Sequence, residues 1–316
     1  MHTPEVQRHR LSGGNEMACV AAGDSAHPAV LLLHGFPSSA RTFRDVIPRL
    51  AETAFVIAPD LPGFGASEVA PEVSFPAYGR AVLELLDRLD VGPRFIYLHD
   101  FGAPVGLYVA MQAPELVRGL IIQNANAHRE GLGPQWAATQ RFWAEPTPEH
   151  EAAATAHLTY EGTRDQYVAG LPGEVAARIS PANWNEDWRV MNLPGQMQTQ
   201  RALVGDYGRY VARFDAVRDY LARIRPPGLL LWGRHDAFFE LAEIVDAGPA
   251  ENGGARVRCR ALPAGDPRDP RGRSHRRVRA APCEMSRHAG TGPAQCHVLR
   301  DTRGRRNCRH SFNTLP

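Results

Sequence analysis

The chain has 316 residues, 43% of them hydrophobic, which is enough for one large α/β domain or one domain with an insertion. No apolar run approaches the roughly 20 residues needed to span a bilayer, and the first residues lack the apolar core of a secretory signal. These features predict a soluble cytoplasmic protein. The formal charge of +2 hides an asymmetry: residues 249–316 carry 15 Arg against 5 acidic residues, +10, which leaves −8 on residues 1–248. There is no Lys, and four of the five Cys (Cys259, Cys283, Cys296 and Cys308) fall in that basic tail.

Residues 8–28 read as two short strands with turn signals at Gly13-Gly14 and Gly23-Asp24. Ala29-Val-Leu-Leu-Leu33 is a continuous apolar run, as expected of a strand buried on both faces of a parallel sheet. It ends in His34-Gly-Phe-Pro37. Helical spacing of Phe43, Val46, Ile47 and Leu50 predicts a helix over Ser38 to Ala51. Ala54 to Ala58 is a second buried strand, ending in Asp60-Leu-Pro-Gly-Phe-Gly-Ala-Ser67. An amphipathic helix follows over Ala77 to Leu89. Phe95-Ile-Tyr-Leu-His99 is a strand stopping at Asp100, with a helix after it to about Ala113 and a strand over Val117 to Gln123. The alternation argues for a parallel sheet wrapped by helices. From Asn126 to Arg223 the strand rhythm disappears and four of the five Trp cluster, which predicts a helical insertion. Leu229-Leu-Leu-Trp232 resumes the sheet and ends at Asp236.

Asp100 stands at a strand-to-helix turn. A carboxylate exposed on such a bend can attack carbon and form an ester; the bland alternative is an N-cap Asp opening a helix. Four motifs stand in order: His34-Gly-Phe-Pro37, Asp60 to Ser67, His99-Asp-Phe-Gly102 and Trp232-Gly-Arg-His-Asp236. Together they resemble the α/β-hydrolase superfamily over about residues 8–243. Within it, the chain looks like the branch with an Asp nucleophile, epoxide hydrolases and haloalkane dehalogenases. Leu98 departs from the pattern, because small residues usually stand two before the nucleophile.

The resemblance implies that Asp100 is the nucleophile and Asp236 the acid that orients a His. It implies an oxyanion hole from the backbone N–H groups of Phe36 and Phe101. Dehalogenases typically place a Trp after the nucleophile to bind halide; Phe101 has no donor. Epoxide opening needs a proton donor, which in related hydrolases is a Tyr of the cap. Gly205-Asp-Tyr-Gly-Arg-Tyr210 makes Tyr207 the first candidate, with Tyr160 or Tyr167 as a second. His34 is a further substrate-side candidate, against the alternative of a structural His bonded to nearby backbone. Each Tyr could equally be packing.

The family's general base is a His downstream of the acid, in a Gly-His-Phe setting, and this chain has none. After Ile244 the sequence shows no strand or amphipathic helix and is rich in Arg, Pro, Gly and Cys. A nucleic-acid arm or a metal site is a weak reading, since no Cys pair shows C-x-x-C spacing. Codons compatible with Glu251 to Pro267, read one base later, permit an alternating run ending in Gly-His-Phe-Leu-Leu-Glu-Thr. A slipped reading frame near Ile244 would explain the tail. His275 has no context that would place it in the site.

The expectation is therefore an α/β-hydrolase fold whose last strand and helix are missing. Its N-terminal core is residues 1–125, its helical cap 126–223, its acid strand and loop 224–244, and its tail a non-native 245–316. It would hydrolyse an epoxide, or secondly a haloalkane, through an ester on Asp100, impaired by the absent His; a ligand-binding protein without catalysis is the alternative of another class. The substrate would be a small hydrophobic organic molecule, with no cofactor, metal, nucleic acid or membrane partner implied. The sequence does not indicate an oligomeric state.

Overall fold

The computed structural model describes residues 6–233, together with 236, 238, 239 and 243 and the backbone of two strands at 257–259 and 294–298. The strands are β1 (Val6–Arg10), β2 (Glu16–Ala22), β3 (Ala29–Leu33), β4 (Phe55–Pro59), β5 (Arg94–His99), β6 (Val117–Gln123), β7 (Gly228–Gly233), β8 (Val257–Cys259) and β9 (Ala294–Val298). They form one sheet in the order β1-β2-β4-β3-β5-β6-β7-β9-β8. The run from β4 to β7 is parallel, while β1 and β2 at one edge and β9 and β8 at the other pair antiparallel.

Every residue of β3 is buried, and its alternate side chains feed two cores. Leu31 and Leu33 point into the larger one, with Ile57, Ile96 and Leu98; Val30 and Leu32 join Val56, Tyr97 and Leu231 on the opposite face. A strand with apolar residues on both sides is stable only between two layers, because each buried Leu contributes about 1.5–3 kcal/mol that solvent exposure would forfeit. The helices that supply the layers follow from local signals. Helix α1 (Ile47–Leu50) is short, and a 3-10 turn at Ala40–Phe43 precedes it. The single helix expected over Ser38 to Ala51 is thus split. Pro48, which has no N–H to give, sits in the first turn of α1, so no bond can run from it back to the Arg44 carbonyl and join α1 to the 3-10 turn. Helix α2 (Phe75–Arg88) begins at Ser74, whose hydroxyl caps the Ala77 N–H at 3.2 Å, and it buries Phe75, Tyr78, Val82, Leu85 and Leu86 along one stripe. Helix α3 (Gly102–Gln112) follows β5 and is buried nearly throughout.

Between β6 and β7 the described elements are helical: α4 (Ala137–Ala144), α5 (Pro148–Ala154), α6 (Tyr160–Val168), α7 (Gly173–Ala176), α8 (Ala182–Met191), α9 (Gln196–Val211) and α10 (Phe214–Ile224). Helix α9 ties this insertion to the sheet domain. Its Asp206 carboxylate accepts the Phe75 N–H at 2.7 Å, satisfying a free donor at the start of α2. Strands β8 and β9 correct the expectation that nothing after Ile244 forms a strand. They add to the β7 edge by antiparallel backbone pairing, which a side-chain pattern does not announce. The rest of the tail, including His275 and the proposed frame slip, lies outside the described residues.

Candidate active site

The site grows from the end of β5. Asp100 has φ +49°, a left-handed conformation that a non-glycine residue adopts at a cost of about 1–3 kcal/mol. Its backbone is held by its N–H on the Asn124 carbonyl at 3.1 Å and by its own carbonyl, which accepts the Ala103 N–H at 2.9 Å. The loop after β3 presses on it from above. A Cβ on Gly35 would lie 2.4 Å from the Asp100 Cβ, and one on Gly102 would lie 2.6 Å from the Leu33 carbonyl oxygen.

Leu98 fits because of a glycine on the facing helix. A Cβ on Gly106 would stand 2.1 Å from Leu98 Cδ2 and 2.8 Å from Leu33 Cδ1. The room usually left by a small residue on the strand is here left by α3. Gly106→Ala is expected to cost about 1–3 kcal/mol in urea unfolding by overpacking, and Leu98→Ala in the same chain should recover part of it.

Asp100 Oδ1 accepts two backbone N–H groups, from Phe36 at 2.7 Å and from Phe101 at 2.5 Å. Among the described hydrogen bonds, none reaches Oδ2. If Oδ2 forms an ester, Oδ1 becomes its carbonyl oxygen already seated between two donors, where negative charge develops when water adds. Burial pushes the Asp100 carboxyl above the usual range; the neighbouring His99 and the two N–H groups oppose this, and the Asp236 charge adds to it.

Asp236 stands beyond β7. Its Oδ1 accepts the N–H groups of Phe238 at 2.9 Å and Phe239 at 3.1 Å, and its Oδ2 accepts Asn124 Nδ2 at 2.8 Å. Burial raises this carboxyl too, again opposed by the surrounding donors and by His99. Asn124 is fully buried, and its Oδ1 accepts the Gly233 N–H at 2.9 Å, so one amide fixes both the acid and the end of its strand. The sequence offered no signal for Asn124 beyond its place after an apolar strand.

The remaining candidates separate. Tyr207, on α9, is brought to the Phe101 side of the turn that carries Asp100. Its ring lies 5.8 Å from that of Phe101, stacks on Trp136 at 4.7 Å, and its phenol feels the Asp100 charge. The phenol oxygen accepts only a long 3.4 Å contact from Asn126 Nδ2 among the described hydrogen bonds. Burial first, then Tyr210 and Asp100, hold the phenol well above its usual pKa of 10.0, so it keeps its proton. Tyr160 is elsewhere: it is 39% exposed and donates to Asn185 Oδ1 at 2.8 Å. Tyr167 is buried, but its hydroxyl donates to Asp187 Oδ2.

His34 takes the structural alternative. It is fully buried, the Leu61 N–H donates to its Nε2 at 3.0 Å, and its Nδ1 faces the Gly35 carbonyl at 3.1 Å. Nδ1 therefore carries the proton, and both nitrogens are used by backbone. Burial lowers its pKa to about 4, so it stays neutral and braces the loop rather than meeting a substrate. The imidazole that does reach the loop from the insertion is His157, which sequence reading missed. Its ring stands edge-on to Phe36 at 5.6 Å, and burial lowers its pKa. Nothing in Ala154-Thr-Ala-His157 distinguishes it from a surface residue.

The surroundings are aromatic: the rings of Phe36, Phe75, Phe101, Trp136 and Trp143 contact Tyr207 or each other. Both indole N–H groups are occupied, Trp136 on the Phe238 carbonyl at 2.6 Å and Trp143 on that of Val204 at 2.8 Å. Among the described residues no group of His, Cys, Asp and Glu could hold a metal ion, and no helix is long and apolar enough to cross a membrane.

The family profile described as alpha/beta hydrolase fold matches residues 28–247. The chain belongs to this family. It is 33% identical over 228 residues to an uncharacterized hydrolase of Saccharomyces cerevisiae, covering 70% of this chain and 78% of that one. A soluble epoxide hydrolase of a Corynebacterium species is 41% identical over 121 residues, covering 37% of this chain and 41% of its own. A haloalkane dehalogenase of Bradyrhizobium diazoefficiens is 29% identical over 172 residues, covering 54% and 51%. The matches to these last two span about half or less of those relatives' length. Among solved structures, the epoxide hydrolase CorEH without ligand superposes with a TM-score of 0.53 at 27% identity, covering 66% of this chain and 77% of that one. This α/β hydrolase thus has both epoxide hydrolases and haloalkane dehalogenases among its relatives.

Proposed function

We propose that this α/β hydrolase opens small hydrophobic epoxides through an ester on Asp100, beneath a cap formed by the helices between β6 and β7. The observation that carries the reading is the seating of Asp100 Oδ1 on two N–H donors while the Tyr207 phenol, still protonated, lies within the field of the same carboxylate. Oδ2 attacks a ring carbon, the C–O bond breaks, and Tyr207 gives its proton to the departing oxygen. His157, across the Phe36 ring, is a second polar group for that oxygen. Hydrolysis then needs water to attack the ester carbonyl, with a base to take its proton. Asp236 is the group that would orient an imidazolium.

No Gly-His-Phe occurs in the chain, so the second half of the cycle should stall. We infer that the reading frame slips near Ile244, which an uninterrupted frame in the gene sequence across codons 240–270 would exclude. Dehalogenation is favoured less, because the Trp136 and Trp143 donors a halide would need are bonded to backbone carbonyls.

Intact-mass spectrometry after incubation with styrene oxide tests this. The expected result is an adduct of the epoxide's mass that maps to Asp100 and persists. Rapid diol release with no lasting adduct means that another group in the chain serves as base. An adduct from an alkyl bromide alone points to dehalogenation. No adduct with either makes the chain a ligand-binding protein without catalysis.

A further inference from the structure

The segment that follows β6 is tied to α9 at two points of a single residue, Asn126. Tyr210 donates its hydroxyl to the Asn126 carbonyl at 2.5 Å. One turn earlier on the same helix, the Tyr207 oxygen accepts Asn126 Nδ2 at 3.4 Å. The next two residues are held from another side, because the Glu243 carboxylate accepts the N–H groups of Ala127 at 2.8 Å and His128 at 3.2 Å. Asn126 is fully buried and Tyr207 is 1% exposed. The rings of Trp136 and Trp143 lie against Tyr207 at 4.7 and 5.9 Å and keep its oxygen in place. Both indole N–H groups are spent on carbonyls, so among the described hydrogen bonds the Asn126 amide is the one donor at the phenol oxygen.

For a buried amide, that of Asn126 is poorly satisfied. Among the described residues no donor meets its Oδ1. A Cβ on Gly131 would stand 2.6 Å from Asn126 Oδ1 and 2.2 Å from Glu243 Oε2, so two acceptors converge where Gly131 has no side chain. A leucine of similar shape would avoid the unmet acceptor, and a 3.4 Å bond to a neutral phenol offsets little of its cost. Fold stability therefore gives no reason for asparagine here, but the reaction does. When Asp100 Oδ2 bonds to a ring carbon, the ring C–O bond breaks and the departing oxygen takes the Tyr207 proton. Asp100 passes from carboxylate to neutral ester, and Tyr207 from phenol to phenolate. One negative charge thus moves from the first residue to the second. Burial, Tyr210, Asp100 and Glu243 all disfavour charge on the Tyr207 oxygen, whereas the Asn126 amide favours it. Esterification removes the Asp100 charge from that opposition. A hydrogen bond to an ion is shorter than one to a neutral group and about twice as strong. The Asn126 contact would therefore tighten as the proton leaves, a gain made in the transition state and not before it.

We propose that Asn126 is a positioning residue for epoxide opening: its Nδ2 steadies the negative charge that forms on the Tyr207 oxygen, and the Tyr210 bond to its carbonyl keeps the amide there. The proposal rests on the reading of Asp100 as nucleophile and Tyr207 as acid. An amide turned the other way, with Oδ1 towards Tyr207, would accept the phenol proton and oppose its transfer. The two orientations give effects of opposite sign.

The test uses the full chain with difluorotyrosine in place of its tyrosines, whose more acidic phenol brings ionisation into a workable range. Fluorine NMR follows the Tyr207 signal, assigned by its loss in Tyr207→Phe. The midpoint of its titration should rise by about one to two pH units in Asn126→Leu, as for one lost hydrogen bond to an ion. In unlabelled protein, the rate of adduct formation with styrene oxide relative to an alkyl bromide should fall roughly 10- to 100-fold in Asn126→Leu. In a Tyr207→Phe background the same substitution should change that ratio no further. A Tyr207 midpoint that is unchanged or falls in Asn126→Leu overturns the proposal even when the adduct forms. So does an unchanged ratio in Asn126→Leu when Tyr207→Phe lowers it. If Tyr207→Phe leaves the ratio unchanged, the acid reading itself fails and the proposal falls with it. If no adduct forms while the midpoint rises, the hold on the phenolate stands and the ester reading fails. Should Asn126→Leu not fold, Asn126→Ala, which deletes the amide without adding bulk, carries the same comparisons.

Discussion

Asp100→Asn should form no ester with any epoxide, a loss of roughly 10⁴-fold or more in alkylation, because an amide oxygen is a poor nucleophile while the rest of the site stays in place. The same substitution should stabilise the fold. Asn keeps an oxygen for the Phe36 and Phe101 N–H groups, and it tolerates the positive φ at this turn. The sign follows from the direction of the shift. The Asp100 carboxyl is raised by burial above its ordinary 3.8, so the folded state binds its proton more readily than the unfolded chain. Its ionisation therefore subtracts stability as pH rises above that value, and Asn removes the loss. The variant should melt higher than the parent at pH 7, by roughly 2–4 °C for each kcal/mol relieved, and the difference should shrink towards pH 4. Thermal melts at the two pH values, beside the intact-mass assay, measure both effects. A variant that alkylates, or one that is less stable at pH 7, contradicts the role given to this carboxylate.

Tyr207→Phe separates chemistry from packing. The ring would keep its stack on Trp136 and its contacts with Phe101 and Trp143, losing only a 3.4 Å contact with Asn126. Stability should change by less than about 1 kcal/mol. Alkylation by an epoxide should fall by about 10²–10⁴, the range for loss of a general acid. Alkylation by an alkyl bromide should hardly change, since bromide leaves without a proton. Equal slowing of both reagents would reduce Tyr207 to a packing residue beside Phe101. Because the phenol is held well above 10.0, its donor role should not fade as pH rises from 6 to 9. Any fall in that window belongs to another group.

Much of the sheet could be read from the chain because it is coded locally. The unbroken apolar run of β3 and the span of β6 from Val117 to Gln123 were recognisable by residue type alone, since a strand covered on both faces admits few polar residues. Asp100 stood out for the same reason, as a carboxylate at the abrupt end of such a strand. The Ser38–Ala51 helix was misread because apolar spacing reports which residues are buried. Phe43 and Ile47 are buried, but that spacing does not register the missing N–H of Pro48, which interrupts the helical bonding between them. Leu98 looked like a defect in the elbow. It is compatible with it because Gly106, one helix away, leaves the volume its side chain needs.

The sequence by itself determined the order of strands and turns, the identity of the charged group at the bend, and the absence of a Gly-His-Phe motif after the acid. Those are properties of neighbouring residues, set by backbone sterics and by solvent exclusion. Only the tertiary structure decided which tyrosine ring packs beside Phe101, that His157 rather than Tyr160 reaches Phe36, and that His34 is spent on the backbone. Tyr160 and His157 lie within one turn's length of each other, and Tyr167 two turns further on. Which of them points inward depends on how α6 and α8 settle against a loop more than a hundred residues earlier, and packing between such distant segments leaves no trace in local spacing.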